Sequence, residues 1–218
     1  MPPIPIRFPA SALIIVDVQN DFCPGGALEV SKGDMVVQPL NRLASLFASK
    51  GGRVVATQDW HPAGHVSFAS SHEGKKPGEL THTARVKEQI LWPDHCVQGS
   101  QGARFHQDLD TGPVNLIIRK GFRGGLDSYS AFFENDLQTS TGLDGFLKSL
   151  SIDALVLGGL AADYCVLYSA LDAAALGYKT FVASDAVRAV DIPEGSAERA
   201  MKLLGEAGVI IAMSKEFE

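Results

Sequence analysis

The chain has 218 residues, of which 45% are hydrophobic and 20% are charged, values that are ordinary for a soluble globular protein. Its formal net charge is −6 and its sequence contains no basic cluster, which argues against nucleic acid or an anionic membrane as a partner. The sequence has no apolar stretch of membrane-spanning length, no signal-peptide pattern at its start and three scattered cysteines. We therefore expect one domain over residues 1–218, in a cytoplasmic protein with free thiols.

Strand-like and helix-like segments alternate along the chain. This order predicts a doubly wound α/β fold, with a mainly parallel sheet of six strands and helices on both faces. In chain order, the predicted strands are residues 12–16, 53–58, 115–119, 154–157, 179–183 and 209–212. The predicted helices run from a capping signal at 31–34 to about Lys50, from about Asp163 to Leu176, and from a capping signal at 191–194 to near Gly208.

The exception to this alternation is a long segment at about residues 59–113. It is rich in Gly, Pro, Ser and His, has little periodicity, and contains all six histidines of the chain, five of them before residue 100. Loops of this length inside a compact domain are usually functional or disordered. We predict a functional insertion that binds a metal or covers a site.

A cysteine follows the fourth predicted strand. Asp163 is a candidate N-cap for the next helix, which would place Cys165 in the first turn, where the helix dipole and free N–H groups lower the pKa of a thiol. The small residues at 158–162 can turn sharply and present N–H groups to an oxyanion. The alternative is a buried, inert thiol, which we expect for Cys23 and Cys96.

Two further reactive side chains terminate apolar runs. Asp17 follows the first strand and Lys120 follows the third. Taken alone, Asp17 could be a turn-forming residue and Lys120 could extend out of the sheet edge into solvent. Because ligands bind beyond the carboxyl ends of parallel strands, we expect both to meet Cys165 there. A partly buried Asp17 would then accept the thiol proton, and Lys120 would favour the thiolate.

The insertion also carries metal-ligating residue types. Asp59 and His61 are two apart on an extended segment, so their side chains can face the same way. A distant His95 could complete a site of two histidines and one carboxylate, whose metal the spacing leaves undefined. His65 could be a fourth ligand, but we favour a role in which it contacts a ligand residue and not the metal itself. We expect the remaining histidines to face solvent: His72, His82 and His106.

Three aromatic residues, Phe22, Trp92 and Tyr129, flank the candidate residues in sequence. They are the best candidates for the walls of a pocket, and a flat heteroaromatic ligand would stack on such walls.

Several segments closely resemble the motifs of nicotinamidases, which belong to the isochorismatase-like cysteine hydrolases. The resembling segments are 16–22 (VDVQNDF), 57–62 (TQDWHP), 92–97 (WPDHCV), 119–121 (RKG) and 159–166 (GLAADYCV), together with the pocket segment 127–132 (DSYSAF). They occur in the order of the family and cover nearly the whole chain. The combination of the metal segment with the Asp, Lys and Cys set is specific to the nicotinamidase branch. One departure is Ala162, where the family more often has Thr.

The resemblance implies a three-layer α/β/α isochorismatase-like fold and a set of site residues. It implies a catalytic triad of Asp17, Lys120 and Cys165, and one divalent metal ion held by Asp59, His61 and His95, with zinc favoured over iron or manganese. It also implies an oxyanion hole formed by the backbone of Ala161 and Cys165, with a cis peptide bond between Leu160 and Ala161.

The activity that the resemblance implies is the hydrolysis of nicotinamide to nicotinate and ammonia through a cysteine thioester, in NAD salvage, with pyrazinamide as a second substrate. Two alternatives stay open. A sibling amidase acting on a ureido or carbamoyl substrate would use the same triad but normally lacks the metal set. A non-enzymatic metal-binding or redox module would keep the metal site and Cys165 but would not need Lys120. The sequence is compatible with a homo-oligomer.

Overall fold

A six-stranded parallel sheet forms the centre of the computed structural model, which describes residues 4–217. The strands are β1 (Ser11–Val16), β2 (Arg53–Asp59), β3 (Leu80–Thr81), β4 (Gln89–Ile90), β5 (Leu116–Lys120), β6 (Ala154–Leu160), β7 (Lys179–Arg188) and β8 (Ile210–Ala212). The helices are α1 (Val37–Ser49), α2 (Leu143–Ser149), α3 (Cys165–Ala175) and α4 (Ser196–Glu206). The sheet order is β5-β2-β1-β6-β7-β8, and every neighbouring pair is parallel, which confirms the predicted fold class.

The central strand explains the layering of the fold. All six residues of β1 are buried, as expected for a parallel strand that is covered on both faces. Successive side chains point to opposite faces of the sheet. Leu13 therefore packs in the core that contains Leu40 and Phe47 of α1, whereas Ile14 packs in the core that contains Val166 of α3.

The strand order reverses at β1, which pairs with β2 on one side and with β6 on the other. The chain completes β2 and β5 on one side before it returns to β6. In an open parallel sheet, such a reversal creates a crevice beyond the carboxyl ends of the two central strands. Asp17 follows β1, and Cys165 opens the helix that follows β6, so both residues lie at this reversal point.

The predicted insertion has little regular structure. It contains a single 3-10 turn, Ala69–Ser71, and the antiparallel pair β3–β4, in which Leu80 pairs with Ile90. That this segment is an insertion in a single domain stays a prediction.

Two predicted helix starts are wrong. The capping signal at 31–34 lies in a 3-10 turn, Gly33–Val36, and α1 begins only at Val37. The signal at 191–194 precedes α4, which begins at Ser196, and its Pro193 follows a cis peptide bond. In both places an irregular turn sets the direction of the chain before the helix begins. Within residues 4–217, no helix has the length and hydropathy needed to cross a bilayer.

Candidate active site

The carboxyl ends of four adjacent strands bring the predicted reactive groups together. Asp17 follows β1, and Asp59 and Lys120 are the last residues of β2 and β5. Asp59 and Lys120 are also direct partners in the parallel register, so the hydrogen bonding of the sheet itself sets them side by side. Cys165 is the first residue of α3, just beyond β6.

Lys120 lies at the centre of this group and is completely buried. Its Nζ donates to Asp59 Oδ1 at 2.5 Å and to Ser128 O at 2.9 Å, and it lies 3.3 Å from Cys165 Sγ and 2.9 Å from Asp17 Oδ2. Burial lowers the pKa of the ammonium, but Asp17 and Asp59 outweigh this effect and hold the pKa well above its usual range. Lys120 is therefore a buried cation, and it does not extend out of the sheet edge.

Asp17 is a buried carboxylate with one free oxygen. Its backbone is in the left-handed region, at φ 46°, which turns the chain sharply at the end of β1. Thr57 Oγ1 donates to Oδ1 at 2.6 Å. Oδ2 forms the ion pair with Lys120 but accepts no hydrogen bond. Burial raises the pKa of Asp17, and the negative charge of Asp59 adds to this rise. Lys120 and Thr57 lower the pKa and so oppose the rise. A carboxylate with a free oxygen and a raised pKa is suited to accept a proton.

Cys165 opens α3 as predicted, but its pKa shifts in the unexpected direction. Burial raises the pKa of the thiol well above its ordinary value, Lys120 opposes the rise, and Asp17 and Asp59 add to it. The resting sulfur is thus a protonated thiol beside a carboxylate. The prediction of a low-pKa thiolate considered the helix dipole and Lys120 and omitted burial and the second carboxylate, Asp59.

Asp163 does not cap α3, so this part of the prediction is wrong. The N-cap residue is Tyr164, which makes no side-chain cap. The Asp163 carboxylate instead accepts hydrogen bonds from the backbone N–H groups of Val190 and Asp191 and from the Ser196 hydroxyl. It therefore ties the loop after β7 to the loop that precedes Cys165.

The loop between β6 and α3 has the small residues that a close approach of the backbone requires. Gly159 has φ 128°, and a Cβ atom there would lie 2.0 Å from Val16 O. The Leu160–Ala161 peptide bond is cis, as the resemblance implied. Cys165 opens a helix, where N–H groups have no partner within the helix. The N–H groups of Ala161 and Cys165 are our proposed oxyanion hole.

Three ligating side chains converge beside Lys120. The second oxygen of Asp59, Oδ2, lies 3.7 Å from His61 Nε2 and 3.8 Å from His95 Nε2. Both separations are shorter than twice the roughly 2.0–2.2 Å of a zinc–ligand bond. The ligand atoms of all three residues lie within 4.8 Å of one another, so the group could hold one ion. The three residues are buried. This donor set fits the predicted divalent cation.

Backbone carbonyls fix which nitrogen of each histidine is free. His61 Nδ1 lies 2.8 Å from Gly121 O, and His95 Nδ1 lies 2.7 Å from Pro93 O. With Nδ1–H donating to a carbonyl, Nε2 keeps a lone pair for a metal. Gly121 has φ 63°, and a Cβ atom there would lie 2.4 Å from His61 Cε1, so the position requires glycine.

His65 stacks on His61, with ring centroids 4.3 Å apart. Its Nδ1 pairs with Ser67 Oγ at 2.7 Å, and its Nε2 lies 3.0 Å from Arg123 O. Both ring nitrogens already have protein partners, in keeping with a supporting role. Asp127 approaches the same two histidines closely enough for the three to form a second candidate ligand group.

A narrow pocket lies between Cys165 and the candidate metal ligands. The three predicted aromatic residues line it, and Trp92 Nε1 donates to Tyr129 Oη at 3.1 Å. Tyr164 packs edge-to-face on Trp92 at 4.9 Å. Five further lining residues were not named individually from the sequence, because nothing local marks their side chains as facing the site, although Asp127 and Tyr164 lie in resembling segments: Leu28, Val30, Asp127, Tyr164 and Val190.

The loop after β1 holds the insertion in place. The side-chain amide of Gln19 donates to the carbonyls of Asp59 and Ala103 and accepts from the Asp59 N–H. Asp21 Oδ2 accepts from the N–H of Cys96, next to the ligand His95. These contacts fix both ends of the ligand set relative to Asp17.

The remaining predictions for histidine and cysteine are partly confirmed. His82 is exposed, but His72 and His106 are half-buried, and His72 Nε2 lies 2.8 Å from Val66 O. Cys23 and Cys96 are both buried free thiols, and burial raises the pKa of each.

Comparison with known proteins identifies the family. The isochorismatase domain model matches residues 11–216. This chain belongs to the isochorismatase family. Among characterised members, it is 47% identical to the nicotinamidase of Acinetobacter baylyi, over 91% of this chain and 90% of that protein. It is 45% identical to the nicotinamidase of Escherichia coli, over 94% of this chain and 96% of that protein. The resemblance to nicotinamidases is confirmed.

Solved structures of the family match the whole fold. A nicotinamidase/pyrazinamidase from Acinetobacter baumanii superposes with a TM-score of 0.91 at 46% identity, covering 96% of this chain and 98% of that one. PnC1 from L. infantum, solved in complex with nicotinate, superposes with a TM-score of 0.83 at 36% identity, covering 98% of this chain and 97% of that one. A pyrazinamidase from Pyrococcus horikoshii, solved in complex with zinc, superposes with a TM-score of 0.75 at 34% identity, covering 94% of this chain and 99% of that one.

Proposed function

We propose that this chain hydrolyses nicotinamide to nicotinate and ammonia, accepts pyrazinamide as a second substrate, and acts in NAD salvage. One observation carries the proposal. A single buried ammonium, Lys120 Nζ, contacts both the thiol–carboxylate pair and the carboxylate of a two-histidine metal site. An amidase that recognises its substrate by a ring nitrogen needs its nucleophile and its metal site at a fixed distance from each other. The nicotinamidase relatives and the nicotinate-bound structure support the same substrate.

The first half of the reaction begins at the free oxygen of Asp17. Asp17 Oδ2 takes the proton of Cys165, and the resulting thiolate attacks the amide carbon. Lys120 stays protonated and stabilises the thiolate at 3.3 Å. The N–H groups of Ala161 and Cys165 hold the oxyanion of the tetrahedral intermediate. Asp17 returns the proton to the leaving nitrogen, so ammonia departs and a thioester remains.

The second half repeats the same proton transfers with water. Asp17 takes a proton from the attacking water, the thioester carbon gains the hydroxyl, and the C–S bond breaks. The proton returns to Cys165, and the carboxylic acid product loses its own proton to solvent and leaves as nicotinate. One carboxylate therefore serves as base and acid in turn, which fits its buried position and raised pKa.

We propose that Asp59, His61 and His95 hold one divalent cation, with zinc favoured over iron or manganese. The zinc-bound pyrazinamidase relative supports this choice. When bound, the cation supplies a Lewis-acid position for the ring nitrogen. Asp59 can serve both parts of the site because Oδ1 accepts from Lys120 while Oδ2 faces the histidines.

Phe22, Trp92 and Tyr129 would enclose the ring and orient its amide toward Cys165. Pyrazinamide carries a nitrogen at the same position relative to the carboxamide and should be hydrolysed. Benzamide has the same shape without a ring nitrogen, so we expect a large loss in kcat/KM, on the order of 10⁴ at the upper limit.

The decisive assay measures ammonia release from nicotinamide, pyrazinamide and benzamide, with and without a chelator. We expect release from the first two amides and a strong loss on chelation. Turnover of benzamide equal to that of nicotinamide would remove the ring nitrogen from recognition. Turnover only of ureido or carbamoyl compounds would favour the sibling amidase, and no amide turnover by the metal-loaded protein would favour the binding module.

We also propose a cytoplasmic location, from the charge and cysteine content of the chain. A homo-oligomer stays a prediction, and light scattering of the purified protein would test it.

A further inference from the structure

A second pocket lies behind Tyr129, outside the catalytic site. Tyr129 lines both pockets and is the one residue they share. The second pocket has a volume of about 200 Å³, several times the roughly 30 Å³ that a water molecule occupies in the liquid. Its other lining residues are Val86, Glu88, Ser130, Phe133, Glu134, Asn135, Leu137, Tyr168 and Asp172.

The charge of this lining has one sign. It includes three acidic residues, Glu88, Glu134 and Asp172, and, among the residues that the structure describes, no lysine or arginine. Outside the lining, Arg123 pairs with Oε1 of Glu134. The lining therefore carries two more carboxylates than this guanidinium can neutralise.

Glu134 has an unsatisfied acceptor. Its side chain is 1% exposed, and its Oε2 has no hydrogen-bond partner within residues 4–217. A buried carboxylate oxygen without a donor is costly, and such groups in native proteins normally have a partner. Burial raises the pKa of Glu134, and it also raises the pKa of Asp172. Both shifts are caused mainly by burial, and a cation placed beside either carboxylate would oppose them.

The aromatic residues add a second kind of recognition. Tyr129 and Tyr168 stack with ring centroids 5.4 Å apart, and Phe133 lines the same pocket. Aromatic faces attract organic cations, and aromatic rings combined with carboxylates are typical of sites for ammonium-type ligands. A neutral apolar ligand would leave the free oxygen of Glu134 without a donor.

We propose that this pocket binds a small organic cation that carries an N–H donor, of the alkylammonium class. Its N–H group donates to Oε2 of Glu134, its charge is balanced by Glu134 and Asp172, and its alkyl part contacts Tyr168 and Phe133. The site is separate from the catalytic chemistry, since none of its residues except Tyr129 lines the catalytic pocket.

Isothermal titration of butylammonium chloride into the purified protein, at constant ionic strength, tests this proposal. 1-Butanol is the matched neutral probe, because it keeps the alkyl chain and a hydrogen-bond donor but has no charge. We expect saturable binding of butylammonium and at least about tenfold weaker binding of 1-butanol. Equal binding of the two probes, or no saturable binding of butylammonium, would overturn the proposal.

Variants assign the binding to this pocket. Glu134→Gln should weaken butylammonium binding by about tenfold or more, the effect of losing a charge-assisted hydrogen bond. Because this variant also loses the Arg123 pair and could fold poorly, Asp172→Asn and Tyr168→Leu provide independent tests, each with an expected loss of about threefold. Glu198→Gln, on the exposed face of α4, is the control and should bind as the parent protein does. Unchanged affinity in both Asp172→Asn and Tyr168→Leu would place any binding elsewhere and sink the proposal.

Discussion

The proposed triad and the insertion that carries candidate metal ligands are built in different ways. Asp17, Lys120 and Cys165 follow or end strands of one parallel sheet, and their spacing follows from the hydrogen-bonded register of the backbone. The insertion has as its longest regular pieces a three-residue turn and two-residue strands. Single contacts, such as those of Gln19 and Asp21, hold it in place. The strand register thus positions Asp17, Lys120 and also Asp59, whereas the segment that carries His95 depends on individual side-chain contacts.

This difference predicts that the two regions can be disabled separately, and the largest effect should come from the nucleophile. Cys165→Ala should lower turnover by on the order of 10⁴-fold or more, because no other group on the strand ends can form the thioester. The fold and the metal content should stay unchanged, since Cys165 is not among the ligands. Ammonia release and metal analysis on the same preparation check both statements. Substantial turnover by the folded variant would contradict the covalent route.

Asp17→Asn should lower kcat by at least about 10²-fold, because an amide cannot take the thiol proton. The metal should remain bound, as Asp17 is not one of the three proposed ligands. Steady-state kinetics at saturating substrate measure the loss. A near-normal kcat would make Asp17 a structural residue that only balances the charge of Lys120.

His95→Ala should act on recognition and spare the nucleophile. We expect lower metal occupancy and a KM for nicotinamide raised by about tenfold or more, since one of three ligands is lost. Cys165 should still react with iodoacetamide at a near-normal rate, as judged by peptide mass spectrometry. If labelling of Cys165 falls together with metal occupancy, the two regions are coupled and the comparison above fails.

The smallest expected effect tests the electrostatics of the triad. Thr57 donates to ionised Asp17, and a hydrogen bond to the charged form lowers the pKa of a carboxyl. Thr57→Val removes this donor, so the folded-state pKa of Asp17 should rise further. The acidic limb of kcat/KM, which requires ionised Asp17, should then move to higher pH by about one unit.

Thr57→Ser keeps the hydroxyl and is the matched control for this shift. Its pH profile should coincide with that of the parent protein. A Thr57→Val profile with an unmoved acidic limb would mean that a group other than Asp17 controls that limb.

Much of the architecture was predictable because its signals are local. Six apolar runs predicted the six strands, and their carboxyl ends predicted where Asp17, Lys120 and Cys165 would lie. Helix starts were less predictable. Asp163 has the residue type and position of a cap, yet its carboxylate binds the loop at 190–196, which is distant in sequence. A long-range partner competed with the local one, and the sequence contains no signal for that competition.

Residue types, strand order and the spacing of Asp59 and His61 are properties of the sequence, and they were enough to predict the site and its candidate ligands. Protonation states and the geometry of free atoms were decided only by the tertiary structure. Two carboxylates outweigh burial and keep Lys120 charged, whereas burial and the same two carboxylates raise the pKa of the Cys165 thiol. A carbonyl distant in sequence, Gly121 O, sets the tautomer of His61, whereas a local carbonyl, Pro93 O, sets that of His95. The physical reason is that a pKa or a hydrogen bond depends on everything within a few ångströms, and most of those neighbours lie far apart along the chain.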